Sequence, residues 1–175
     1  MPSLSSKRRA APSLLDPLGG RSPQSGGRGA LSTTYDYAIV RVVPRVERGE
    51  FINAGVIVSC AASGYLQARI ELDEAKLLAL DPGADVAGIR AGLAAIPVIC
   101  AGGPGAGALG ALSTRERFHW LVAPRSTSIQ TSPVHTGQCD SPEAQLEHLM
   151  QRMVRIREQP SPHRAAPDAP APIAD

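Results

Sequence analysis

Aromatic side chains are scarce: two Phe, one Trp and three Tyr make up 3% of 175 residues, so the interior has to be built mainly from aliphatic groups. Cysteine is scarcer. Cys60, Cys100 and Cys139 are odd in number and spaced roughly forty residues apart, which excludes both a disulfide framework and the paired CxxC spacing of a zinc site. Free thiols, with no metal and no cofactor, are expected. Long apolar runs are also missing. None approaches the roughly 18 residues of a membrane span, and the opening MPSLSSKRRAAPSLLD lacks the continuous apolar stretch of a signal peptide. The expectation is a soluble, cytoplasmic chain without a membrane segment.

What is abundant is glycine and proline, 17 and 16 residues, too many for one compact domain throughout. Charge divides the chain in the same way. Lys7, Arg8, Arg9, Arg21 and Arg28 against Asp16 alone make residues 1–34 basic, residues 35–157 are formally neutral, and Glu158, Asp168 and Asp175 against Arg164 make the end acidic. The calculated pI of 8.6 therefore describes a leader and not a basic face on the domain. Residues 1–34 have no apolar periodicity and are expected to be a disordered basic leader, able at most to touch nucleic acid weakly and without sequence preference. The Pro/Ala-rich stretch 158–175 is expected to be a disordered, extended tail. A single domain remains over 35–157.

Within it, YDYAIVRVV (35–43) and FINAGVIVSC (51–60) read as strands covered on both faces, and GYLQARIEL (64–72) alternates apolar and polar groups at period two. Turn residues at 44–49 and 61–64 make the three an antiparallel meander. Helices follow. Asp73 caps DEAKLLAL, which Asp81-Pro82-Gly83 stops; Asp85 caps a helix with Val86, Ile89, Leu93 and Ile96 on one face, expected to end at Pro97. Ser113 to Glu116 fits a capping box that starts a short turn before FHWLVA (118–123), a candidate strand, and STSIQTS (126–132) is its expected partner. Ser141-Pro142-Glu143 opens a C-terminal amphipathic helix lined by Leu146, Leu149, Met150 and Met153. The fold class is α+β: a meander, then helices, a second strand pair and the last helix.

Chemistry is harder to locate. Gly105 to Gly110 matches G-x-G-x-x-G, but Pro104 precedes it and no long helix or acidic ribose ligand follows, so a connector is favoured over a phosphate loop. His119 and His135 lie in His119-Trp120-Leu121 and His135-Thr136-Gly137, neither of which is the H-x-[ST] of two-histidine phosphoesterases. No G-x-S-x-G nucleophile elbow exists. The most suggestive stretch is RFHWLVAPRSTSIQTSPVHTG (117–137). If Pro124 turns the chain back, Arg125, Ser126, Thr127 and Gln130 would gather with His119 and His135 into an anion or phosphate site, Arg offering a planar fork and the hydroxyls completing the shell. The alternative is a buried hairpin whose hydroxyls satisfy their own backbone and whose Arg residues pair with Glu50 or Glu116. In the meander, Arg41 interrupts an apolar strand and Asn53 sits within FINAGVIV; they would share a face if the register set them opposite each other, with Glu47 or Glu50 as the carboxylate.

The strings YDYAIVRVVPRVERGEFINAGVIV and RFHWLVAPRSTSIQTSPVHTG resemble the bacterial domain of unknown function 3037 family across about 35–155. The resemblance implies no assigned activity and carries over no catalytic residue. It implies a partner role at most, since some members are encoded beside kinases resembling the HipA type. The sequence thus points to a non-catalytic binding or accessory module; the alternative is an enzyme acting on a phosphorylated or nucleotide substrate.

Overall fold

The computed structural model describes residues 32–155. The expectations for the leader and tail lie outside that range, with one exception. Thr33 and Thr34, assigned to the leader, already pair with Cys139 and Gln138.

The meander forms as its alternation dictates: β1 (Thr33–Val42), β2 (Ile52–Cys60) and β3 (Tyr65–Ile70), all antiparallel. β1 is central because apolar groups occupy both of its faces. Val40 and Val42 point to one side and Tyr35 to the other, and all three are buried. One bulge, between Val40 and Arg41, offsets the β1–β2 register, and Gly55 lies against it. A Cβ at Gly55 would fall 2.5 Å from Arg69 O, so the close approach requires glycine there.

Three helices cover one face: α1 (Glu74–Leu80), α2 (Val86–Ala101) and α3 (Thr114–Val122). Their starts follow the expected caps, Asp73 accepting from Lys76 N–H, Asp85 from Gly88 N–H and Ser113 from Glu116 N–H. Ile89, Leu93, Ile96 and Phe118 pack with Val40, Val42 and Ile57 beneath them. α4 (Pro142–Met153) covers the other face, where Leu146, Leu149 and Met150 meet Tyr35, Val56 and Val58. Charge reinforces that docking, since Glu147 is bound by both Arg69 and Arg155, and Arg155 also holds Glu71.

Three expectations are corrected. First, α2 does not end at Pro97. It runs on to Ala101 because Ile99 and Cys100 are buried, and because Gly102 N–H closes the final turn onto Val98 O. Second, FHWLVA is helix and not strand. Arg117, Phe118 and Leu121 fall at i, i+1 and i+4, which puts Phe118 and Leu121 on one buried face while His119 and Trp120 point outward, a helical period that the capping box extends. Third, STSIQTS therefore has no hairpin partner in 118–123. Only β4 (Ile129–Thr131) is strand, paired with β1 at Val40–Val42. The second strand beside β1 is β5 (His135–Cys139), paired with Thr33–Tyr37. Between them, Ser132 serves Ile39 twice, its N–H donating to Ile39 O (2.8 Å) and its Oγ accepting from Ile39 N–H (2.9 Å). The Gly-rich stretch forms 3₁₀ turns at Pro104–Ala111, broken at Gly107. Among the described residues no single helix is long and apolar enough to cross a membrane; α2 with the following 3₁₀ segment is bent by 63°.

Candidate functional site

The strand-to-helix change redistributes the six residues proposed for an anion site. Arg125, Thr127 and Gln130 line one cleft of about 250 Å³ between α2, α3 and β4, with Trp120, Ile99 and Ile129 among its apolar walls. The Arg125 guanidinium lies 3.9 Å above the centre of the Trp120 ring and donates to Trp120 O; among the described residues it has no acidic partner. Thr127 Oγ1 donates to Ile129 O (2.7 Å) and Gln130 Nε2 to Thr127 O (2.9 Å). Those groups shape the 125–131 turn. Ser126 is exposed and makes no hydrogen bond among the described residues.

The two histidines stand elsewhere. His119, one residue past Phe118, lines a larger hollow of about 620 Å³ with Asp36, Ser59 and Thr114. His135 pairs across the strands with Tyr37 and stacks on its ring at 5.1 Å, on the face of the sheet that carries Tyr35 and α4. His135 does not line the hollow that holds His119, so the two imidazoles do not share a site.

Arg41 and Asn53 are opposite each other in the β1–β2 register, on the α4 side. Among the described residues Arg41 forms no ion pair with Glu47 or Glu50, and Glu50 pairs instead with Arg48 (2.8 Å). Arg41 instead lies 4.3 Å above the Phe51 ring. Asn53 Nδ2 donates to Met153 O (2.8 Å) at the end of α4. Arg41 Nε and Asn53 Oδ1 are enclosed without a hydrogen-bond partner among the described residues.

One further cation was not singled out in the sequence. Arg117 donates to Leu112 O (2.5 Å) and Cys100 O (3.4 Å) and lines a groove of about 460 Å³ along β3. Its sequence signal was weak, since 117–137 holds two Arg and nothing local separates Arg117 from Arg125. Burial pushes the Cys100 thiol beside it up to about 12, which keeps it protonated at neutral pH. All three cysteines are free, and no cluster of three His, Cys, Asp or Glu side chains suited to a metal occurs among the described residues.

A five-stranded antiparallel sheet with three helices on one face and one on the other, open to solvent at clefts with Arg at their rims, defines a small α+β protein with ligand-sized surface hollows. The sequence match then supplies the family. The profile of the family described as Protein of unknown function (DUF3037) matches residues 37–154, and the chain belongs to that family. No curated protein and no solved structure matches it.

Proposed function

We propose that the protein is a non-catalytic binding module whose cleft between α2, α3 and β4 takes an apolar group bearing an anionic end. The observation that carries this is Arg125, set on the Trp120 ring at the mouth of a mainly apolar cleft. Its fork keeps donors available for two oxygens, and the ring beneath it lowers the cost of holding the charge in place. Binding is favoured over catalysis because no carboxylate, imidazole or thiol lines that cleft, and the hydroxyls of Thr127 and Thr131 are committed to backbone carbonyls. The enzyme alternative loses support for the same reason, His119 and His135 lying outside it. A cytoplasmic location belongs to this proposal and is supported by three unpaired cysteines.

The test is a thermal-shift screen with nucleotides, sugar phosphates and aryl carboxylates. A hit should stabilise the wild type and lose its effect in Arg125→Ala and Trp120→Ala, with both unliganded variants melting cooperatively. Stabilisation that persists in Arg125→Ala, or substrate turnover abolished by His135→Ala, would overturn the proposal.

A further inference from the structure

The sheet ends on β3, and that edge is open. β3 pairs with β2 from Tyr65↔Cys60 to Ile70↔Gly55 and with no other strand among the described residues. Glu71 N–H points to β2, where it donates to Ala54 O (2.8 Å). Main-chain groups of an antiparallel strand alternate in direction, so those of Leu66, Ala68 and Ile70 point outward. They make no hydrogen bond among the described residues. The groove of about 460 Å³ runs beside Leu66 and Ala68; Pro97, Cys100 and Ala101 of α2 form its other wall, and Arg117 reaches in from α3.

The edge and the cation together specify an occupant. Outward N–H and C=O groups recurring every second residue are matched by another extended strand, whose own groups repeat at the same spacing. Arg117 forms no ion pair among the described residues, and its Nη groups rest on neutral oxygens alone, those of Leu112 O, Cys100 O and the Thr114 hydroxyl. A guanidinium held against a groove without a counter-charge favours a carboxylate. Its position also selects a direction. Ser113, Thr114 and Arg115 share a hollow with Gly64, so α3 approaches the groove where β3 begins. A strand antiparallel to β3 ends at that point, whereas a parallel one would begin there and bring an ammonium towards Arg117.

We propose that the open edge of β3 is a docking groove for the carboxyl-terminal segment of a partner polypeptide, which adds antiparallel to β3 as a sixth strand and places its terminal carboxylate on Arg117. The inference does not depend on the Arg125 cleft, because the two hollows share no lining residue.

The experiment screens the full chain against a bead library of random hexapeptides with free carboxyl termini. The selected peptide should bind the wild type, protect the amides of Leu66 and Ala68 from hydrogen exchange, and weaken at least tenfold when its terminus is amidated. Ala68→Pro removes one outward N–H and none that faces β2, so it should abolish binding while the protein still melts cooperatively. If that variant fails to fold, Leu66 and Ala68 protection in the wild type decides. Three results would overturn the proposal: no peptide retained, equal binding of free and amidated forms, or protection of Leu66 and Ala68 that rises with protein concentration without peptide, which marks a second copy on the edge.

Discussion

Arg41 and Asn53 face each other across β1 and β2, yet each is held by a different neighbour, Arg41 by the Phe51 ring at 4.3 Å and Asn53 by Met153 O at 2.8 Å. The pair therefore ties the sheet to its surroundings and not to itself. Asn53 adds a hydrogen bond to the apolar packing between β2 and the last turn of α4. Removing it in Asn53→Ala should cost about 1 kcal/mol, the net worth of one such bond. Urea unfolding measures the loss, and amide exchange should quicken at 151–155 while leaving 146–149 unchanged. Uniform quickening along α4 would show that Asn53 does not anchor its end.

Packing makes a sharper prediction at Met150, which is fully buried between α4 and the sheet. Met150→Ala should destabilise by about 2–5 kcal/mol, whereas Met150→Leu, near in volume, should cost less than about 1.5 kcal/mol. Equal losses in the two variants would mean that the side chain does not fill the space between α4 and β2.

Gly55 predicts a cost set by backbone proximity. The Cβ of Gly55→Ala would meet Arg69 O and Ile70 Cδ1, both at 2.5 Å, beside the β1–β2 bulge. The backbone oxygen cannot swing away, so β2 and β3 must part, at about 1–3 kcal/mol. Thermal melting reads this directly. Gly49→Ala, where the Cβ enters open space at φ +70, isolates the separate cost of a left-handed conformation.

Acid should weaken the protein through Asp81. Its carboxyl is held below the usual range, chiefly by the hydrogen bond from Arg45 Nη2 (3.2 Å) and further by Gly83 N–H. A folded-state pKa below the unfolded value adds stability that is complete above the unfolded value and is lost as pH falls through the folded one. Glu71, held down by Arg155, acts in the same sense. Stability should fall from roughly pH 4 downward, and Asp81→Asn should be less stable at pH 7 but lose less on acidification. Parallel urea midpoints for wild type and variant from pH 7 to pH 3 would refute the assignment.

Thiol labelling follows from burial. Cys60 and Cys100 are enclosed, whereas Cys139 on β5 is only partly so, though burial raises its pKa as well. Iodoacetamide at pH 8 should modify Cys139 slowly in the native protein and reach the other two only after unfolding. Early modification of Cys100 would mean that the C-terminal turn of α2 opens readily.

The sequence by itself determined the meander and the helix starts, because both are local. Alternation at period two in 64–72, turn residues after Val43 and Cys60, and the caps Asp73, Asp85, Ser113 and Ser141 act within a few residues of where they stand. Tertiary structure decided the rest. FHWLVA is too short for its composition to separate strand from helix, and the burial of Phe118 and Leu121 against α2 and the sheet settled it. HTGQC has no apolar pattern to announce a strand; it becomes β5 because the lower half of β1 presents unpaired backbone groups that Thr33–Tyr37 would otherwise bury alone. Pro97 lies inside α2 because the burial of Ile99 and Cys100 outweighs one lost backbone bond. The dispersal of His119, Arg125 and His135 over three surfaces follows from these same choices. Sequence proximity brings side chains together only along one element, and which face each element turns to the core is decided by contacts far along the chain.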